Sequence, residues 1–167
     1  MSEQERNAVK SEMKSLSGKY LTFKLAKETY GIQILKVQEI IGLMSITSVP
    51  RTPDFVRGVI NLRGKVIPVI ELRKKFGMES IEDTDHTCII VVQVNGPKGL
   101  ITMGVLVDEV SEVIDISDEQ LEPAPSFGTN IDTAFILAMG KLADAVVILL
   151  DIDKVLTTSE LSSISSI

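Results

Sequence analysis

The sequence predicts an all-β protein, with two small antiparallel barrels packed on a shared hydrophobic core and a few short helices. Hydrophobic residues make up 44% of the 167 residues, yet only 4% are aromatic and Trp is absent. A core of this composition must be built mainly from Val, Ile and Leu, which suit packed strands. Apolar and polar residues also alternate over several short segments, as in half-buried strands. Finally, one sequence pattern occurs twice along the chain, which predicts two similar units.

The first half of the chain predicts two hairpins and a short helix. Residues 20–25 and 30–34 alternate apolar with polar side chains around a polar turn, which is typical of a hairpin. Residues 35–42 fit both helical and strand spacing, and we favour a helical turn that leads into a strand. Two apolar runs within 58–70 flank a second turn, and a short helix is expected over 71–76. The residues expected to shape this second hairpin are Gly58, Asn61 and Gly64.

The second half of the chain repeats this arrangement. The pattern G-[IV]-x-[IV]-x-x-V-x-E-[IV]-I begins at Gly31 and again at Gly104. A second matching block begins at Phe55 and again at Phe135, so the two copies of this block lie slightly further apart than the copies of the first. The extra residues fall between the two blocks of the second copy, where Pro and Gly residues indicate a loop insertion. Two copies of one structural unit are therefore predicted.

The repeat sets the expected domain bounds. It predicts lobes over about 20–78 and 87–156 within one domain at 19–158, and it leaves open an exchange of strands between the lobes. A core of that size stabilises a unit by only about 3–5 kcal/mol, so the two lobes are expected to pack together. Residues 1–18 are expected to be flexible or weakly helical, and residues 159–167 to form a C-terminal tail.

Composition argues against several classes of function. The chain has 17 Lys and Arg against 23 Asp and Glu, a net charge of −6 that repels nucleic acid. No apolar run approaches the roughly 18 residues of a membrane span, and the N-terminus lacks the apolar core of a signal peptide. We therefore expect a cytoplasmic protein without direct membrane insertion. Cys88 and His86 are the only residues of their types, which excludes an internal disulfide and the common zinc sites.

One pair of residues invites a catalytic interpretation. His86 and Cys88 lie two positions apart and would face the same side of a strand. A cysteine enzyme also needs a third group that orients the base and an oxyanion site, and the neighbours Thr87 and Ile89 offer neither. A cysteine in the core is the favoured interpretation, so no catalytic residue is predicted.

Many residues together resemble the CheW-like coupling proteins of bacterial chemotaxis. The first block of matching residues comprises Tyr30-Gly31-Ile32, Val37, Glu39-Ile40, Val49-Pro50, Pro53, Phe55, 58–64 (GVINLRG), 67–73 (IPVIELR) and Phe76-Gly77. The second block comprises 89–92, Gly104, Val107-Asp108, Val110, Val113, 122–125 (EPAP) and Leu150-Asp151. The resemblance covers nearly everything after the N-terminal segment.

This resemblance implies two five-stranded, SH3-like β-barrels and a non-catalytic scaffold that couples transmembrane chemoreceptors to the histidine kinase CheA. It implies that the cytoplasmic tip of a methyl-accepting chemoreceptor lies in a groove between the barrels. It also implies that the regulatory domain of the kinase docks barrel to barrel, that receptors recruit the protein to the inner face of the membrane, and that no cofactor is needed. By position, the groove candidates are Val37, Glu39, Ile41, Leu43, Arg63, Cys88, Val110 and Val113.

The sharpest difference between the two copies is Asn61-Leu62-Arg63-Gly64 against Lys141-Leu142-Ala143-Asp144. Arg63 is therefore a candidate functional residue, and the resemblance suggests that it pairs with Glu39. The simpler alternative is two solvated charges that contribute little, just as the candidate valines could be ordinary core residues. Two other functions stay open: a coupler in a different receptor–kinase pathway such as motility, and a small β-barrel ligand carrier or enzyme with convergent polar groups in a concave site.

Overall fold

The structure of the chain, a computed structural model, describes residues 2–4, 16–125 and 133–165. The strands are β1 (Gly18–Leu25), β2 (Glu28–Gln33), β3 (Val37–Gly42), β4 (Val56–Leu62), β5 (Lys65–Glu71), β6 (Cys88–Gly96), β7 (Gly99–Val107), β8 (Glu109–Ile116), β9 (Leu121–Glu122), β10 (Ile136–Lys141) and β11 (Val146–Leu150). The helices are α1 (Leu72–Lys75) and α2 (Thr158–Ser165), and 3₁₀ turns occupy Ile34–Lys36 and Asp118–Gln120. The predicted flexible or weakly helical segment 1–18 lies largely outside the described residues.

The strands form two sheets. One has six strands in the order β8-β1-β2-β11-β10-β9, and the other has five in the order β3-β6-β7-β5-β4. The predicted all-β class with two packed sheets is therefore confirmed. The six-stranded sheet exceeds the expected five strands because the two-residue strand β9 pairs with Met139 and Gly140 of β10.

Each sheet draws strands from both halves of the sequence. Strands β2 and β11 pair in parallel, with Gly31 opposite Leu149, and strands β5 and β7 pair in parallel, with Val69 opposite Gly104. These two contacts are equivalent in the sequence repeat, because Gly31 corresponds to Gly104 and Val69 corresponds to Leu149. The sheets consequently do not coincide with the segments 20–78 and 87–156, because β1 and β2 pair with strands from the second half.

Three apolar clusters fill the part of the chain that the structure describes. The largest, here called the central cluster, joins the two sheets and includes Leu21 and Phe23 of the six-stranded sheet and Ile90 and Val105 of the five-stranded sheet. Each sheet also has a smaller cluster of its own, around Leu149 in one and around Ile89, Val91 and Leu106 in the other. Aliphatic residues dominate all three clusters, as the low aromatic content predicts.

The C-terminal helix α2 revises the predicted tail at 159–167. Leu161 and Ile164 of α2 are buried against the central cluster, and their i, i+3 spacing places them on one helix face. The Thr157 hydroxyl accepts a hydrogen bond from the Glu160 backbone N–H, and the Glu160 carboxylate accepts one from the Thr157 N–H. Such a reciprocal cap stabilises the first turn of a helix. Glu160 also pairs with Lys75 of α1 at 2.7 Å, which ties α2 to the rest of the fold.

Candidate functional site

Three of the residues predicted for the groove pack against the central cluster that joins the two sheets. Val37 at the start of β3, Cys88 at the start of β6 and Val110 near the start of β8 are half-buried and pack against the central cluster. The 3₁₀ turn Ile34–Lys36 leads directly into Val37, whose backbone N–H donates to the Ile34 carbonyl. Residues of three separate strands thus flank the same apolar cluster.

Strand β8 also carries a fourth predicted residue. Its pairing with β1 sets Val110 opposite Phe23 and Val113 opposite Leu21, with a bulge between the two pairs. Side chains directly opposite one another in antiparallel strands share a face of the sheet, so Val110 and Val113 both point toward the central cluster. The side chain of Val113 nevertheless remains 48% exposed.

Strand β3 contributes a residue that the sequence analysis missed. Ile40 pairs with Ile90 and Gly42 pairs with Cys88, so Ile40 shares the face of the sheet on which Cys88 lies, and it is 45% exposed. In the repeat, Ile40 corresponds to Val113 just as Val37 corresponds to Val110. The repeat could therefore have identified it. We call the surface formed by Val37, Ile40, Cys88, Val110 and Val113 the seam groove.

A bulge in β3 removes two predicted residues from the seam groove. The pairing between β3 and β6 shifts between Val37 and Glu39, which places Glu39 opposite Val91 and Ile41 opposite Ile89. Both partners belong to the smaller cluster of the five-stranded sheet, and Ile41 packs against that cluster. The sequence alternation could not reveal this shift, because an extra residue in one strand leaves the apolar pattern on either side unchanged.

Glu39 and Arg63 form a two-point ion pair that links β3, at one edge of the five-stranded sheet, to the turn between β4 and β5 at the other edge. The Arg63 Nη1 lies 2.8 Å from Glu39 Oε1, and Nη2 lies 2.5 Å from Oε2. The hydrogen bonds from Arg63 lower the pKa of the Glu39 carboxyl, and those to Glu39 raise the pKa of Arg63. The side chain of Arg63 is 68% exposed, so the guanidinium stays accessible while its direction is fixed.

The turn between β4 and β5 presents Arg63. Arg63 and Gly64 both have positive φ, +50° and +86°, and Leu62 pairs with Lys65, which makes a two-residue hairpin turn. The Asn61 Oδ1 accepts a hydrogen bond from the Gly64 backbone N–H at 2.9 Å. Asn61 and Gly64 therefore shape this turn. Gly58 lies within β4 instead, at a bulge where a Cβ atom would clash with the Thr47 carbonyl oxygen.

Leu43 lies apart from the other predicted residues. It follows the end of β3, is 37% exposed, and lines a shallow depression together with Met44, Ile46, Arg57 and Asp83. The eight predicted residues thus divide into four groups. Four line the seam groove. Glu39 and Arg63 form the ion pair, Ile41 packs against the smaller cluster of the five-stranded sheet, and Leu43 borders the depression.

Cys88 is half-buried, and its surroundings do not activate the thiol. Burial raises the pKa of its thiol, a backbone hydrogen bond from Val110 opposes this effect, and the nearby charge of Glu109 adds to it. His86 is exposed, and its Nδ1 lies 3.9 Å from Glu109 Oε1. Within the described residues, no group of three His, Cys, Asp or Glu side chains could hold a metal ion. Nor does any helix in that part of the chain have the length and apolar content needed to cross a membrane.

Comparisons with known proteins agree on one family. The family model described as the CheW-like domain matches residues 19–160. The chain is 39% identical over 148 residues to the chemotaxis protein CheW of Klebsiella aerogenes, which covers 89% of this chain and 87% of that protein. It is 31% identical over 140 residues to the chemotaxis protein CheW of Rhizobium meliloti, which covers 84% and 88%. The crystal structure of the scaffolding protein TtCheW from Thermoanaerobacter tengcongensis matches with a TM-score of 0.75 at 39% identity, over 86% of this chain and 90% of that one.

Proposed function

The chain belongs to the CheW-like domain family and has the coupling role of that family, and we propose that two different surfaces carry this role. The seam groove receives the cytoplasmic tip of a methyl-accepting chemoreceptor. The regulatory domain of the histidine kinase CheA docks at the end of a sheet. The protein acts by holding these partners together and needs neither a catalytic residue nor a cofactor.

The exposure of Ile40 and Val113 is the observation that carries this proposal. Each is nearly half exposed, although each lies on the face of its sheet that points toward the central cluster. On the same strands and on β6, Val37, Cys88 and Val110 are half-buried and pack against the central cluster. An exposed apolar strip over a rigid core is typical of a site that receives another protein.

The chemistry of the seam groove suits an amphipathic helical hairpin. Such a hairpin presents apolar anchors at intervals of three or four residues, and it would bury them against aliphatic side chains. The ion pair between Arg63 and Glu39 belongs to the five-stranded sheet that also carries Val37 and Ile40, and its exposed guanidinium can bind carboxylate or carbonyl oxygens of the partner. Apolar contacts would then supply affinity, while Arg63 would fix the register of the bound hairpin.

The kinase surface is proposed at the turn between β10 and β11. Leu142 and Val146 beside this turn are 37% and 52% exposed, and the equivalent turn of the first copy carries Arg63 and Gly64 instead. The resemblance implies a regulatory domain of the same fold, which could pair its own sheet end with this aliphatic patch. Receptors in the membrane would then recruit this cytoplasmic protein to the inner face.

The single native cysteine offers a direct test of the receptor surface. Cys88 lies in the seam groove, so a receptor cytoplasmic hairpin bound there should slow its labelling by a maleimide reagent. We expect the rate to fall by roughly tenfold at saturating hairpin. A hairpin that binds, as measured by calorimetry, but leaves the labelling rate unchanged would show that the receptor surface is elsewhere.

A paired substitution tests the kinase surface. Leu142→Lys with Val146→Lys places charge on an exposed aliphatic patch, where neither side chain belongs to the core. We expect binding to the isolated kinase regulatory domain to weaken by roughly tenfold, while binding of the receptor hairpin is unchanged. The matched control is Val66→Lys at the equivalent position of the first copy, which is 66% exposed. If Val66→Lys weakened binding to the kinase regulatory domain equally, the kinase surface would include both turns.

A further inference from the structure

Two partly buried ion pairs lie where the chain passes from one sheet to the other. The first passage leads from β2 to β3 through the turn Ile34–Lys36, and the second leads from β7 to β8 through Asp108. Lys36 directly precedes Val37, and Asp108 stands two positions before Val110. Both charged residues are thus close in sequence to residues of the seam groove.

At the second passage, Asp108 joins three segments. Its Oδ1 accepts a hydrogen bond from Arg73 Nε of α1 at 2.7 Å, and its Oδ2 accepts one from Arg73 Nη2 at 2.5 Å. The Oδ2 atom also accepts the backbone N–H of Ala26, in the turn between β1 and β2, at 2.8 Å. Ala26 has a φ of +55°, a conformation that costs energy for a residue with a Cβ atom. The carboxylate therefore holds a strained turn of one sheet against a helix that follows the other.

At the first passage, Asp153 makes the corresponding contacts. Its Oδ2 accepts a hydrogen bond from Lys36 Nζ at 2.8 Å, and its Oδ1 accepts the backbone N–H of Asn95, at the turn end of β6, at 2.9 Å. Asp153 follows β11 of the six-stranded sheet, whereas Asn95 belongs to the five-stranded sheet. Here too an aspartate binds one cation and one hairpin of the opposite sheet.

The two junctions share one repeat-equivalent position, at which the charge is exchanged, whereas their other members, Asp108 and Lys36, are not equivalent in the repeat. Arg73 and Asp153 occupy equivalent positions in the two copies of the second repeat block, so the cation of one junction corresponds to the anion of the other. Both pairs are shielded from water, with side chains 13% and 19% exposed at the second passage and 27% and 24% at the first. At Asp108 and Asp153 burial raises the pKa, but the hydrogen bonds outweigh it and leave both carboxyls below their ordinary pKa.

We infer that these two junctions are positioning devices for the seam groove, each holding the wall residue that follows it, Val37 beside the Lys36–Asp153 pair and Val110 beside the Arg73–Asp108 pair. This inference rests on the proposed receptor function of the groove. A charged hydrogen bond shielded from solvent is stronger and more directional than an exposed ion pair. Because each aspartate also binds a backbone N–H of another hairpin, loss of its charge frees the passage to move relative to both sheets.

The test uses two neutralised variants of the full chain and a matched control. Asp108→Asn and Asp153→Asn keep an acceptor for the backbone N–H but remove the ion pair. Asp115→Asn removes the Lys19–Asp115 pair, whose side chains are 61% and 73% exposed and which joins two strands of one sheet. Far-ultraviolet circular dichroism first establishes that each variant is folded.

Three readouts separate positioning from general stability. Maleimide labelling of Cys88 reports on Val110, whose backbone contacts that thiol, and amide hydrogen exchange reports on the backbone of Val37 and Val110. We expect Asp108→Asn to speed Cys88 labelling and exchange at Val110, and Asp153→Asn to speed exchange at Val37, each by roughly three- to tenfold. Affinity for the receptor cytoplasmic hairpin should fall by a similar factor in both variants and stay within about twofold of wild type in Asp115→Asn.

The outcomes are separable. The inference would be overturned if both folded variants bound the hairpin with an affinity within about twofold of wild type. It would also be overturned if amide hydrogen exchange sped up equally at Val37 and Val110 in each variant. If the wild-type chain does not bind the hairpin, the proposed function fails, while labelling and exchange still test the junctions. Should Asp108→Asn not fold, Arg73→Lys retains the charge without the two-point geometry, and it should show a smaller change in the same direction.

Discussion

The seam groove and the hairpin turns use the sequence repeat in opposite ways. Repeat-equivalent residues form the groove, with Val37 matching Val110 and Ile40 matching Val113. The turns diverge, because Arg63-Gly64 of the first copy corresponds to Ala143-Asp144 of the second. Groove residues rest on the shared core, which restricts them to aliphatic side chains of similar size. Turn residues face solvent and are free to differ, so one duplicated unit yields one common groove and two distinct ends.

The largest effect should come from the bulge at which the two hairpins differ in backbone conformation. Gly58 and Ala138 occupy equivalent bulges, yet Gly58 has a φ of +150° and lies against the Thr47 carbonyl. We expect Gly58→Ala to lower the free energy of unfolding by about 3 kcal/mol or more and Ala138→Gly by about 1 kcal/mol. Urea denaturation measures both. Equal losses would mean that the two bulges are alike after all.

The second effect tests whether the groove walls are equivalent. Ile40→Asp and Val113→Asp each place a carboxylate on a half-exposed site of the seam groove. We expect each to weaken receptor-hairpin binding by at least roughly tenfold, since the charge must lose water in the complex. The two losses should agree within a factor of about three if the walls act alike. Leu100→Asp is the control, because Leu100 is 67% exposed at the turn end of β7, and a comparable loss there would refute a local effect.

A smaller effect should separate the two turns. Arg63→Ala removes the ion pair with Glu39 and the exposed guanidinium, so receptor-hairpin binding should weaken by roughly threefold with little change in thermal stability. Ala143→Arg in the other turn should leave receptor binding unchanged. Calorimetric titration of both variants against wild type provides the measurement. An unchanged affinity in Arg63→Ala would remove Arg63 from the receptor surface.

The smallest effect concerns the stability of the protein in acid. Asp108 and Asp153 have pKa values below those of the unfolded chain, so their contribution is complete above the unfolded pKa and is lost as the pH falls through the folded pKa. Stability should therefore decline from about pH 4 downward. Thermal melts of Asp108→Asn with Asp153→Asn from neutral pH down to about pH 3 should show a shallower decline than wild type. A parallel decline would mean that other carboxyls govern acid unfolding.

Much of the candidate site could be read from the residues before any coordinates. The resemblance to the CheW-like family supplied the aliphatic positions, and the contrast between the two turns singled out Arg63. Ile40 was missed, and Glu39 and Ile41 were expected in the groove, because a single bulge in β3 reverses which residues face the central cluster. Bulges follow from the local fit of paired strands, which a one-dimensional alternation of apolar residues does not contain.

Sequence alone determined the strand-rich class and the duplicated unit, because these depend on composition and on patterns local to the chain. The tertiary structure decided which strands pair, since the two halves exchange hairpins through the parallel contacts of Gly31 with Leu149 and of Val69 with Gly104. It also placed Lys36 beside Asp153 and Arg73 beside Asp108. Contacts across such distances in sequence arise only when the chain closes on itself and buries its common core.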